Sequence, residues 1–469
     1  MDLKRKAYQA LLCWKQKDNH KPLIVEGQRQ VGKSYIVLKF AQENYENVIV
    51  YDFRHNSALK TVFKGNLDVD TIISNSSIYF PGQKFVPNKT CIIFEEIGDC
   101  PKARTSLKSF ALDGRFDVIA TGSLLGIINY RRQKVAQVPI GYEEFYKMKP
   151  LDFEEFLWAN KVNESIINTL KECLKTKEPL SEAIANPLKE YVKRYIAVGG
   201  MPQAVNEFLN NNGNYIAARN VQEQLVNEYK ADFGRIVDED GQEFIDYKLK
   251  GQIDAVFDSI PTQLARENNV MKFKYSNIQH KGRSETFENA FDWLEKAGLI
   301  LRAYNVKALE TPLKANADLA AFKAFFSDIG LLMSQYPIST LQGLINDTLD
   351  SKKGAIFENL AACHLTSEDF PLYYYSNNKE HLEIDFLIEG KDGIILYEEK
   401  SVNGKMNASK TIMEGRSPYK AAKCYKIIRE NFGVGDFYET IPEYGAQFLL
   451  QNIKASLMEG LQNAGLKKI

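Results

Sequence analysis

Five short apolar runs in the first 150 residues alternate with segments of helical period. The runs lie at 23–25, 48–53, 91–94, 116–120 and within 137–148. Helical patterns fall at 33–43, 58–64 and 103–112. Runs this short, apolar at successive positions and separated by amphipathic helices, predict a parallel sheet covered on both faces. Residues 2–17 form a further amphipathic helix, with Ala7, Leu11, Leu12 and Trp14 among its apolar positions. From 151 to 240 the pattern is helical (152–158, 166–175, 188–197, 217–232), interrupted at Gly199-Gly200-Met201-Pro202. Two helices at 253–268 and 284–297 flank a short segment at 275–278, and 298–304 reads as the start of a wing. A helix at 354–365 then precedes strands at 372–375, 382–388 and 394–400, with a turn at 390–393. The tail from 432 to 469 carries apolar positions without recognisable chemistry. Four units are expected: 1–150, 151–245, 246–335 and 336–469.

Composition narrows the class without naming it. The 469 residues are 44% hydrophobic and 26% charged, an ordinary globular balance. Lys+Arg and Asp+Glu both number 60, so any nucleic-acid surface has to be a local patch. The cysteines (Cys13, Cys91, Cys100, Cys173, Cys363, Cys424) show no C-x-x-C spacing and are expected to be reduced thiols, not a zinc site or disulfide frame. Neither an apolar leader nor a run of about 18 apolar residues is present, so a cytoplasmic chain without membrane contact is expected. His20, His55, His280, His364 and His381 do not pair at metal-ligand spacing and read as surface or satisfied structural residues.

The most specific chemistry follows the first apolar run. Gly27-Gln28-Arg29-Gln30-Val31-Gly32-Lys33-Ser34 fits G-x-x-x-x-G-K-[ST] at every position. Gly27 and Gly32 allow successive N–H groups to turn inward around a phosphate, and the helix beginning near Lys33 points its positive end at the same anion. Lys33 is expected on the β- and γ-phosphates and Ser34 on Mg²⁺. The third run delivers Glu95 and Glu96 at its end, for the metal and for polarising the attacking water respectively. The fourth ends in Thr121-Gly122-Ser123, placing Thr121 or Ser123 to contact the γ-phosphate or the water. The sequence thus predicts a nucleotide site with Mg²⁺, and the phosphate loop by itself does not choose ATP over GTP.

GQRQVGKS, IIFEEIGDCP, VIATGSLLGI and VPIGYEEFYKMKPLDFEEFLWA resemble the prokaryotic AAA-type ATPases whose C-terminal half is a domain of uncharacterised function. GGMPQAV (199–205), FFSDIGLL (325–332) and FENLAACHL (357–365) extend the likeness over nearly the whole chain. The resemblance implies an AAA core with Lys33, Ser34, Glu95, Glu96 and Thr121 or Ser123 in the roles above, followed by a helical lid. In one respect this chain departs from the family: Glu95 stands where the family usually has Asp, one methylene longer on the metal side. A basic residue from a lid or neighbouring subunit often completes such sites. Arg131, Arg132 and Arg235 are candidates, and the sequence selects none.

The 246–335 stretch has the rhythm of a winged helix. Its second helix carries Glu285, Glu288, Asp292 and Glu295 against Lys296, with Lys281 and Arg283 just upstream. Those acids would repel a phosphate backbone, so a structural or protein-binding module is expected. In the last unit, Glu398 and Lys400 share one strand face, and a hairpin brings them near Asp385. With Glu358 on the preceding helix, this resembles the restriction-endonuclease-like fold. The resemblance implies Mg²⁺ on Asp385 and Glu398, help from Glu358, and Lys400 steadying hydroxide. Three functions follow: an ATPase that drives or gates movement of the C-terminal half, an ATP-regulated nuclease or nucleic-acid-processing protein, and a nucleotide-gated interaction switch without significant turnover. A protein or nucleic-acid partner is implied, and homo-oligomerisation is left open.

Overall fold

The computed structural model describes residues 2–124, 139–237, 243–265, 272–278, 282–349, 353–377, 382–400 and 404–463. The first four expected strands form where the apolar runs fall: β1 (Leu23–Gly27), β2 (Asn47–Asp52), β3 (Thr90–Glu95) and β4 (Asp117–Ser123). The fifth, β5, is confined to Glu144–Met148. All pair in parallel, in the order β2-β3-β4-β1-β5. Alternate residues face opposite ways. Leu23, Val25, Cys91 and Ile93 join the core under the N-terminal helix Lys6–Lys15, while Ile24, Ile92 and Phe94 pack on the other side. The chain leaves β1 for the far edge and later returns to place β5 on β1's other side. The crevice at the strands' carboxyl ends therefore opens beside β1, as expected of open parallel sheets.

Five helices follow: Phe153–Ala159, Glu164–Thr176, Glu182–Val198, Pro202–Asn210 and Tyr215–Asp232. A two-stranded ribbon, β6 (Arg235–Val237) with β7 (Glu243–Ile245), leads into the helix Tyr247–Ala265. The helix Ser284–Lys296 precedes β8 (Ile300–Val306) and β9 (Ala317–Phe326), which pair antiparallel as a hairpin. This hairpin is not confined to its own unit. β8 pairs in parallel with β10 (Tyr373–Asn377), through Tyr304 with Tyr373 and Asn305 with Tyr374. One eight-stranded sheet therefore crosses the expected border at 335/336. It continues through β11 (Leu382–Gly390), β12 (Gly393–Glu399), β13 (Lys423–Ile428), β14 (Gly433–Val434) and β15 (Glu439–Pro442), in the order β14-β15-β13-β12-β11-β10-β8-β9. Sequence periodicity specifies strands but not their neighbours, so it marks a border where the chain, not the sheet, changes character.

The acids of Ser284–Lys296 are engaged inside the fold. Arg302 of β8, with its side chain 8% exposed, donates to Glu288 (2.8 Å), Asp292 (2.9 Å) and Glu295 (2.5 Å). Three of the four acids thus converge on one cation within the module. Among the described residues, no helix is long and apolar enough to cross a membrane.

Candidate functional site

The phosphate-binding loop has the backbone its glycines require. Gly32 has φ +92° and caps the helix Lys33–Asn44. A Cβ on Gly27 would lie 2.3 Å from the Met148 carbonyl oxygen of β5, so only glycine permits that approach. Lys33 is buried and its Nζ donates to the Gly27 and Gln28 carbonyls at 3.1 and 2.9 Å. Burial lowers its pKa to about 8; Glu96 opposes this, and the cations of Arg29 and Arg54 add to it. Ser34 is exposed at the start of the helix.

The acids expected at the end of β3 lie beside the loop. Burial raises Glu95, the Ser34 hydroxyl beside it opposes the rise, and the charges of Asp52 and Glu96 reinforce it. Glu96 takes a left-handed backbone (φ +50°), which costs of order 1 kcal/mol for a side-chain-bearing residue and is typical of functional turns. Its N–H donates to Thr121 Oγ1 at 3.4 Å, so β4 lies next to the acidic strand as anticipated. Ser123, at the end of β4, pairs in register with Gly27.

Two site residues escaped the sequence. Arg54, just past β2, reaches Glu96 at 3.8 Å and Asp99 at 3.1 Å; burial works against its charge, but these acids raise its pKa. Arg5 is buried in the N-terminal helix cap, donating to the Val31 carbonyl (3.1 Å), the Lys149 carbonyl (2.6 Å) and Glu155 (3.1 Å). It looked like one more basic residue of an amphipathic helix, and nothing local marks it. Of the arginine candidates, Arg131 and Arg132 lie outside the described residues. Arg235 pairs with Asp232 at 2.7 Å, and Asp232 also holds Arg29.

The loop's intervening side chains are gripped from outside the core. Gln30 donates to Glu228, and the Tyr229 hydroxyl donates to the Arg29 carbonyl at 2.9 Å, both from the helix Tyr215–Asp232. Gln28 is buried, its Nε2 donating to the Met201 sulfur at 3.0 Å and its Oε1 accepting from Ser327 at 3.1 Å. Asp328 caps the helix Ile329–Gln335, accepting from Leu331 N–H at 3.0 Å and from Gly200 N–H at 2.6 Å. Burial raises Asp328 to about 6 against the N–H groups of Gly200, Leu331 and Gly330. The GGMP and SDIG stretches thus meet at the loop.

The C-terminal residues converge only in part. Phe386 of β11 pairs with Tyr397 of β12, and one residue further along the hairpin brings Asp385 beside Glu398. Lys400 Nζ lies 2.6 Å from Asp385 and 2.9 Å from Glu398, whose other oxygen accepts from Ser409. Burial and the Asp385 charge raise Glu398 to about 7, against Lys400 and Ser409. Glu358 is turned to Lys323 of β9, at 3.4 Å. Lys323 was missed, although a lone lysine in the apolar run 320–326 is a signal that could have found it. Asp385, Glu398 and Lys400 thus lie together, with the Lys400 ammonium between the two carboxylates. His364 also departs from expectation. It is buried against Tyr195 (6.3 Å, 10° between rings), and among the described residues neither ring nitrogen has a hydrogen-bond partner; burial lowers its pKa to about 4.

Residues 19–157 match the family model described as AAA domain, so this part of the chain is similar to AAA domains. Residues 189–342 and 353–440 match two domains of unknown function, DUF8612 and DUF4143. Among solved structures, the Aeropyrum pernix ORC1 protein in complex with DNA is similar at 9% identity and TM-score 0.30, over 74% of this chain and 93% of that one. The Aeropyrum pernix ORC2 protein in its ADPNP–ADP complexes gives 10% identity and TM-score 0.33, over 74% and 94%. The Thermotoga maritima RuvB Holliday junction branch migration motor gives 12% and 0.28, over 66% and 91%. Likeness at that level says nothing about activity. No curated protein matches.

Proposed function

We propose that this chain binds Mg²⁺–ATP at the Gly27–Ser34 loop, hydrolyses it, and uses the change in occupancy to shift its helical segment and C-terminal half against the core. The observation that carries this reading is the buried Lys33 ammonium, held by loop carbonyls with Glu95, Glu96 and Thr121 alongside. Backbone N–H groups of Gln28–Ser34 would receive the phosphates, Lys33 would bridge β- and γ-oxygens, and Ser34 with Glu95 would hold Mg²⁺, which supplies charge neutralisation when bound. Glu96 would orient the lytic water, with Thr121 or Ser123 marking the γ-phosphate. Movement follows because Glu228, Tyr229, Asp232 and Met201 grip Gln28–Gln30, so a change in the loop is felt outside the core.

The test is phosphate release from Mg²⁺–ATP by the wild type and Glu96→Gln, with and without duplex DNA. Losing general-base help is expected to slow turnover about 10²-fold or more while nucleotide binding persists. A wild type that binds ATP tightly without turnover would leave the switch in place of the motor, and stimulation by DNA would favour a nucleic-acid partner.

A further inference from the structure

We propose that β9 is a strap carrying the nucleotide state of the phosphate loop to the ion-pair cluster of the C-terminal sheet. The proposal rests on the nucleotide-binding reading above and adds the route.

The strap's two anchors lie close along one strand. Ser327, just past the end of β9, donates its hydroxyl to Gln28 Oε1 inside the loop at 3.1 Å. Four residues back, about 13 Å along an extended chain, Lys323 reaches Glu358 at 3.4 Å and Glu383 at 3.7 Å. Between them Phe326 is fixed on both backbone groups. Its N–H donates to Asn359 Oδ1 at 2.8 Å, and its carbonyl accepts from Asn359 Nδ2 at 3.0 Å and from Cys363 Sγ at 3.4 Å. Asn359 is fully buried and neighbours Glu358 on the same helix, Lys353–Ser367. A displacement of Ser327 therefore reaches that helix through the two hydrogen bonds between the Phe326 backbone and the buried Asn359 side-chain amide. Close packing makes such a contact move as a unit.

A second grip reaches the lid break. Asp328 accepts from Gly200 N–H, and a Cβ on Gly199 would sit 2.4 Å from Asp328 Oδ1 and 2.7 Å from the Gly330 backbone. Ser327 and Asp328 thus hold the loop and the lid break with consecutive residues. The FFSDIG and FENLAACHL stretches, some thirty residues apart, are joined here for a physical reason: one carries the strap and the other the helix clamped to it.

The experiment is hydrogen–deuterium exchange on the full chain with and without saturating Mg²⁺–AMP-PNP, with binding measured separately using a mant-labelled ATP. In the wild type, exchange in peptides covering 353–367 and 382–400 is expected to slow about fivefold or more on binding. In Ser327→Ala the analogue still protects the lid helix 215–232, but the response at 353–367 falls below about twofold. A merely structural Ser327 would alter exchange equally with and without nucleotide. Linkage supplies the reverse test: Lys323→Met should change the dissociation constant for mant-ATP about threefold or more in the wild-type background and not in Ser327→Ala. Saturating nucleotide with no response at 353–367, or the same response and the same linkage in both backgrounds, overturns the strap. If the wild type fails to bind mant-ATP, the nucleotide reading fails first and the strap falls with it.

Discussion

The depressed Lys33 ammonium makes nucleotide affinity depend on pH with a calculable sign. Free Lys33 titrates at about 8, because burial penalises the charged form and Arg29 and Arg54 lie close, against an ordinary 10.5. A bound polyphosphate stabilises the ammonium, so binding requires the protonated form and takes up a proton as pH rises. At pH 7.5 about three-quarters of the free protein is protonated there, and at pH 9.5 about 3%, so affinity should fall about 25-fold, or ~1.9 kcal/mol. ATP's own phosphates are already fully ionised over this range. Calorimetric titration of Mg²⁺–AMP-PNP in buffers of different ionisation enthalpy reads both the constants and the proton uptake, expected to be about half a proton at pH 8. For the unliganded fold the sign is reversed: a lysine with a lowered folded pKa adds stability as pH rises from about 8 to 10.5. An affinity flat between pH 7.5 and 9.5, with no proton uptake, would refute the placement of Lys33 as a desolvated phosphate ligand.

Other outcomes follow from single contacts. Arg302→Met leaves Glu288, Asp292 and Glu295 facing one another; because those acids are partly exposed, the loss in urea-monitored stability should be about 2 kcal/mol, with Arg302→Lys recovering only part of it for want of a planar fork. Asp328, raised to about 6, favours the fold most when protonated, so its contribution falls as pH climbs from about 4 through 6. Asp328→Asn should remove that slope, and the stability difference from wild type should shift by about 2 kcal/mol in the variant's favour between pH 4.5 and 7, read from urea midpoints. Gly200→Ala drives a Cβ to 2.0 Å from the Leu151 carbonyl oxygen, which is backbone and cannot yield, so a loss of several kcal/mol is expected, seen as a collapse of the thermal midpoint.

Local information determined the parts of this protein whose physics is local. The phosphate loop could be read because its glycines and lysine are constrained by their immediate neighbours and the anion they suit, and Glu95, Glu96 and Thr121 because strand ends deliver side chains at predictable places. The helices between Phe153 and Asp232 were legible from their period. Tertiary structure alone decided which strands are neighbours, and therefore that β8 and β9 belong to the C-terminal sheet. It alone turned the acids of Ser284–Lys296 onto Arg302, turned Glu358 to Lys323, and buried Arg5 against Val31. The contact from Gln28 to Ser327 spans 299 residues of sequence. No pattern within either segment encodes such a pair, because a hydrogen bond between them exists only once the chain has folded both segments into one core.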